Sequence, residues 1–378
     1  MNIYIFSVVL GLMLLSPQWA VSQVAETPLT LAEAEQAALE GNRSLAAAEA
    51  RADAADLGAR AGDGFLLPSI RATAGAIRTN DPVGVFGTKL RQRQFTAADF
   101  DLAALNDPNA VSDWPVGLGA SWEVAQLDRW AERGAGQAES RAARAAFDRT
   151  RDGTTFRTRL LYIGAVRAAS ALAALEAAEA SSSATLARVA RRVEEGQGTD
   201  ADRLQAEAAL AGIQARIQGA RAEVVNAREA LGSHLGWPVD RLPVPSEGGD
   251  VLNTDRVSAD VTSGQLQARS DLVAGRASVE AATARADVVR AKRLPKLEAF
   301  GHLSGHAPEI AGGREWNWTM GVQLSVPLFT GFSLSRGAAA AEAQARALSL
   351  EQEQRERDAE SEVRSTRRSV EAARAALE

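Results

Sequence analysis

Near the end of the chain the stretch WNWTMGVQLSVPLF alternates apolar and polar residues. Trp316, Trp318, Met320, Val322, Leu324, Val326 and Leu328 fall on one face of a strand, with Asn317, Thr319, Gly321, Gln323 and Ser325 on the other. Three more stretches read the same way. Val116, Leu118, Ala120, Trp122 and Val124 alternate with Gly117, Gly119, Ser121 and Glu123. After Pro68, Ile70, Ala72, Ala74 and Ala76 alternate with Ser69, Arg71 and Thr73, and after Pro295 a strand is expected over Lys296 to Ser304. Strands are thus expected at about 66–78, 116–124, 295–305 and 316–328. Asn80 to Asp113, rich in Asp, Asn and Pro, reads as a loop.

The rest of the chain has helical periodicity. Thr30-Leu31-Ala32-Glu33 has the form of a capping box, opening a helix that pauses at Gly41-Asn42 and resumes from Arg43 to about Gly62. From Leu127 the pattern stays helical to Glu195, a run that would be about 100 Å long at 1.5 Å per residue. Gly196-Gln197-Gly198-Thr199-Asp200 breaks it, and a second helix returns from Asp202 to Leu235. The two form a helical hairpin over 127–236.

These elements occur twice. With Pro68 aligned on Pro295, Leu45, Ala47, Ala50, Ala54, Ala55, Ala59 and Leu67 meet Leu272, Ala274, Ala277, Ala281, Ala282, Ala286 and Leu294. Each copy, 23–250 and 251–378, reads helix, strand, loop, strand, long helix. The hairpin turn at Gly196 has no counterpart before Glu378, so about 65 residues of the second copy are expected to be missing.

Composition narrows what such a chain can be. Hydrophobic residues make up 46%, yet only 5% are aromatic and Ala dominates, which suits long helices in close contact better than a thick core. A net charge of −6 without a basic, aromatic-interleaved stripe argues against nucleic-acid partners. No cysteine is present, which excludes disulfides, thiolate metal sites, a cysteine nucleophile and a lipidated N-terminal cysteine. Residues 1–22, apolar from Ile3 to Leu15 and then carrying Ala20-Val21-Ser22, read as a signal peptide cut before Gln23. No other segment reaches the roughly 20 apolar residues of a membrane helix, so any membrane contact would be through strands. Four half-greasy strands leave two edges to be paired, and in lipid only a closed barrel satisfies every backbone group.

One stretch carries a family resemblance. Leu324-Ser325-Val326-Pro327-Leu328-Phe329-Thr330-Gly331-Phe332, followed by an Ala-rich helix, resembles the signature of the TolC family of outer-membrane efflux channels. Thr30-Leu31-Ala32-Glu33-Ala34 with Gly41-Asn42, and Arg191-Arg192-Val193-Glu194-Glu195-Gly196 leading to Asp202 and Leu204-Gln205-Ala206, are also similar to that family. The resemblance implies a mainly α fold with transmembrane β: a homotrimer with a 12-stranded β-barrel on a long periplasmic α-barrel. It also implies an exit duct of a tripartite efflux pump or type I secretion system in the outer membrane. The partners would be a periplasmic adaptor protein and an inner-membrane pump of RND or ABC type. Val193, Gly196, Thr199 and Asp202 would be the adaptor-docking tip. Val116, Leu118, Trp122, Trp316, Trp318, Val322 and Leu324 would face lipid; Ser121, Glu123, Gln323 and Ser325 would face the lumen. The first copy departs from the signature, reading Ser121-Trp122-Glu123-Val124-Ala125-Gln126 where Pro-Leu-Phe would stand.

Other chemistry is sparse. His302 and His306 are four apart, but on a strand that spacing does not converge on a metal, and His234 lies elsewhere. Asp99 and Asp101 are expected to be solvated rather than calcium ligands. Arg188, Arg191 and Arg192 are expected to pair with Glu194 and Glu195. No phosphate loop, nucleophile elbow or acid–base pair is recognisable, so neither an enzyme nor a cofactor is expected. The competing reading is a soluble periplasmic coiled-coil adaptor whose strands form a water-exposed sheet.

Overall fold

The structure, a computed structural model, describes residues 28–246 and 263–376. The expected signal peptide and the segment following Ser246 lie outside them. The described chain contains helices α1 (Leu31–Gly41), α2 (Arg43–Gly62), α3 (Pro82–Arg91), α4 (Leu102–Asn106), α5 (Leu127–Glu194), α6 (Asp200–Leu235), α7 (Ser263–Gln267), α8 (Ser270–Ala291) and α9 (Ser333–Ala375). Its strands are β1 (Ser69–Ala74), β2 (Ile77–Thr79), β3 (Val111–Asp113), β4 (Val116–Gln126), β5 (Lys296–His306) and β6 (Glu315–Ser325). The residues fall into two compact units.

One unit contains the hairpin of α5 and α6 from Thr158 onward, with the start of α1. Thr30 and Glu33 bond each other reciprocally, so the capping box forms as its residues dictate. Along α6, Ile217, Val224 and Leu231 are buried at intervals of seven, the spacing of a coiled-coil seam. Ion pairing of Arg221 with Glu176 at 3.4 Å and a Gln214–Glu179 hydrogen bond at 3.0 Å link the helices beside it. At the hairpin base Tyr162 is fully buried, and its hydroxyl donates to the Leu29 carbonyl at 2.8 Å. Gly236, at φ +74°, ends α6: its N–H bonds Ser233 and that of Trp237 bonds Gly232.

The other unit holds the sheet and its supporting helices. Leu45 and Ala52 of α2 pack against Phe147 of α5. Leu272, the residue aligned with Leu45 in the repeat, is likewise buried on α8. Gly275 lets α8 and α9 approach: a Cβ there would collide with Gln352, which donates to the Leu272 carbonyl. Arg141–Glu280 and Arg285–Glu139 join α5 to α8.

The sheet has the order β1-β4-β5-β6, entirely antiparallel. Three expectations change here. The first strand is not continuous over 66–78: it stops at Ala74, where the Gly75 N–H turns to the Pro115 carbonyl, and β2 pairs separately with β3. The fourth strand ends at Ser325 rather than Leu328, because Pro327 has no N–H to give a ladder. The loop over 80–113 is structured. Asp81 caps α3, Asp101 caps α4, and Phe95 packs edge-on against Phe86 and Phe100.

Candidate functional site

The register fixes which residues share a face. Ile70, Ala72 and Ala74 lie beside Ala120, Leu118 and Val116, which lie beside Gly301, Leu303 and Gly305, which in turn lie beside Met320, Trp318 and Trp316. Trp122, Ala299 and Val322 extend that face toward the helices, followed by Leu297 and Leu324. Not one of these side chains is ionisable. Trp318, Met320, Val322 and Leu324 are 66 to 72% exposed, a contiguous apolar surface of the kind that marks a membrane or partner contact. The opposite face carries Ser69, Arg71 and Thr73, then Gly117, Gly119 and Ser121, then Lys296, Glu298, His302 and Ser304, then Asn317, Thr319, Gln323 and Ser325.

Two residues depart from this order. Between Trp122 and Ala125 the register slips by one, a β-bulge that sets both Glu123 and Val124 against Glu298. Val124 therefore does not continue the Val116–Trp122 face. Glu123 reaches Arg129 of α5 at 2.8 Å, tying the strand to the helix that follows. Phe300 lies on the polar face, which simple alternation does not suggest. Its ring covers Gly321, where an added Cβ would sit 2.8 Å from Phe300 Cζ. An aromatic ring shielding a cross-strand glycine explains both residues.

Beyond β5 the structured loop is fastened to the sheet end. His306 Nδ1 lies 2.7 Å from Asp113 Oδ2, and Gln92 donates to Asp113 Oδ1 at 3.0 Å, all three being buried or nearly so. Asn317 donates to the Arg91 carbonyl, and Arg93 pairs with Glu315. His302 and His306 are thus on one strand with separate neighbours. Asp99 is not merely solvated: Lys89, at 2.5 Å, and Thr96 hold its carboxyl down to about 2.

The hairpin tip is built from local bonds. Gly196 has φ +73°, its N–H bonds the Val193 carbonyl at 3.0 Å, and the Gln197 N–H bonds that of Arg192 at 2.7 Å. These two bonds form a Schellman motif, which needs the left-handed residue that glycine supplies. Thr199 and Asp202 then form a second capping box that starts α6. Hydrogen bonds from the Thr199 hydroxyl and N–H hold the Asp202 carboxyl below its ordinary value. Val193, Gly196, Thr199 and Asp202 therefore come together in one exposed turn. The arginines do not pair with Glu194 and Glu195 as expected. Arg192 reaches the Gln197 carbonyl of the turn at 3.4 Å, and Arg188 donates to Thr185 one helical turn back at 3.0 Å.

A sheet apolar on one side and open at both edges, on a chain otherwise made of long helices, defines the class: an outer-membrane β-barrel subunit with a helical periplasmic extension. The family model for outer membrane efflux proteins matches residues 34–237 and 262–378, and the chain belongs to that family. The pyoverdine export outer membrane protein OpmQ of Pseudomonas aeruginosa is 28% identical over 302 residues, which are 78% of this chain and 60% of OpmQ. The chain thus spans 60% of the length of that relative. Among solved structures, the outer membrane protein VceC of Vibrio cholerae superposes with a TM-score of 0.75 at 20% identity, covering 92% of this chain and 80% of VceC. The open state of the MtrE outer membrane channel of Neisseria gonorrhoeae gives a TM-score of 0.71 at 20% identity, over 90% and 72%. The fold is that of these channels, and the soluble-adaptor reading falls with the family match.

Proposed function

We propose that three copies of the chain close their sheets into one 12-stranded barrel and serve as the outer-membrane exit duct of a tripartite efflux pump. The observation that carries this is the pair of unpaired edges, β1 and β6, bounding a sheet with a wholly apolar face. An exposed edge in lipid has no water to bond, so it must meet another copy. β4, β5 and β6 are 11 residues each, the length that crosses a bilayer when tilted. In this reading Val116, Leu118, Trp122, Trp316, Trp318, Val322 and Leu324 face lipid. Ser121, Gln323 and Ser325 face the lumen, with Glu123 at the bulge where strand becomes helix. The structured loop lies outside the cell and the hairpin lies in the periplasm.

The tip formed by Val193, Gly196, Thr199 and Asp202 would dock a periplasmic adaptor, which couples the duct to an inner-membrane pump of RND or ABC type. Kinship with OpmQ, named for pyoverdine export, favours small-molecule cargo over secreted protein. The chain's lack of cysteine makes closure directly testable. In one chain β1 and β6 are three strand spacings apart, about 14 Å, too far for a disulfide. Single cysteines scanned along β1, each combined with one along β6, should give a covalent trimer on a non-reducing gel at the correct register. Monomer at every combination would refute closure.

A further inference from the structure

We propose that the polar face of the sheet holds a recognition site for anionic groups, built on Arg71 and His302, which biases the duct toward anions. The inference rests on the trimeric-duct reading above. Register places Arg71, Gly119, His302 and Thr319 in one row across the four strands. The row on one side is Thr73, Gly117, Ser304 and Asn317, and the row on the other is Ser69, Ser121, Phe300 and Gly321. Across these three rows Arg71 and His302 are the only ionisable residues, and both are basic.

The glycines make the site possible. A Cβ on Gly117 would stand 2.7 Å from Thr73 Oγ1 and 3.1 Å from His302 Cε1, so the imidazole lies across β4 where a larger residue would displace it. At Gly119 the His302 Nδ1 would be 3.6 Å away. The resulting open depression on the sheet, about 330 Å³, is lined by Ser69, Arg71, Thr73, Gly119, Ala120, Ser121 and His302. Its walls supply hydroxyls, a guanidinium and an imidazole, and no carboxylate. That donor set suits a carboxylate, phosphate or sulfonate and offers a cation no charged ligand.

The nearest acids on this face do not cancel the charge. Glu298, with Glu123 opposite it at the bulge, and Glu315 each stand two rows from the Arg71–His302 row, about 14 Å along the strands at 3.4 Å per residue. That exceeds the Debye length of about 8 Å at physiological ionic strength. Glu123 is moreover already paired with Arg129, and Glu315 with Arg93 at 3.1 Å. Closure of the barrel would set three Arg71 and three His302 in one belt, the arrangement by which rings of basic side chains favour anions.

The test is the reversal potential of the full-length protein in planar bilayers under a KCl gradient. Arg71→Gln combined with His302→Gln should lower the chloride-to-potassium permeability ratio about two- to fivefold, roughly what a unit charge at contact distance is worth in water. Arg71→Lys should keep the ratio of the unaltered protein. Conductance with an unchanged ratio in the double variant overturns the anion site and leaves the duct standing. No conductance from the unaltered protein overturns the duct, and the site with it. If the double variant fails to form trimers, Arg71→Gln is compared with Arg71→Lys, and equal ratios overturn the site.

Discussion

At the hairpin tip every bond that shapes the turn joins residues at most five apart, Arg192 to Gln197 being the longest. In the sheet β4 meets β5 through pairs such as Val116 with Gly305 and Gln126 with Lys296, from opposite halves of the chain. The tip is therefore a local structure that its own residues determine, whereas the sheet depends on distant strands and on the medium against its apolar face. A local turn can be altered without disturbing the rest of the chain. The sheet cannot, because one slip in register moves every side chain to the wrong face.

The largest expected effect tests the medium. Val322→Lys, on the apolar face, should cost about 2–4 kcal/mol in bilayer folding equilibria if it lies near mid-membrane, while Gln323→Lys on the opposite face should be tolerated. Equal tolerance at both positions would contradict the assignment of faces. Next, Gly321→Val should force Phe300 off its cross-strand partner and cost roughly 1–3 kcal/mol, read in the same assay. A neutral result would show that the ring does not depend on the glycine.

At the tip the effects should be smaller and confined. Gly196→Val places a branched residue at φ +73° and should raise local opening by roughly 1–2 kcal/mol, seen as faster amide exchange near the turn alone. Exchange that quickens in the sheet as well would break the distinction between the two regions. Thr199→Ala removes the cap of α6 and should cost about 1 kcal/mol of local stability at its first turn.

The smallest effect is one of pH. Because Thr199 depresses the Asp202 carboxyl in the folded tip, the cap contributes fully above the ordinary carboxylate range. That contribution is lost as pH falls through the lowered value, where the acid protonates and its N–H bond weakens. Protection of the Thr199 amide, its exchange relative to the open chain at the same pH, should therefore stay flat near neutrality and fall only in strong acid. Asp202→Asn should remove that dependence.

What could be read from residues alone follows the same division. The Thr30–Glu33 capping box, the Gly196 turn, the length of α5 and α6 and the apolar alternation of β4 and β6 were legible, since each signal lies within a few neighbouring residues, whereas the Thr199–Asp202 capping box emerged only in the structure. Leu45 and Leu272, aligned by the repeat, are both buried. The loop helices α3 and α4 were obscured by the Asp, Asn and Pro residues around them, which both begin short helices and make turns. The bulge at Glu123 and Val124 left no mark, because an extra residue is defined only against the partner strand.

The sequence by itself determined the long helices, the Thr30–Glu33 cap and which side of β4 and β6 is apolar, because these depend on local periods of 3.6 and 2 and on near neighbours. Only the tertiary structure decided that β4 lies against β5, that Phe300 covers Gly321, that His306 meets Asp113, and that Arg71 and His302 share a row. Those pairings join segments far apart in the chain, and no local pattern encodes which distant strand will supply the complementary edge.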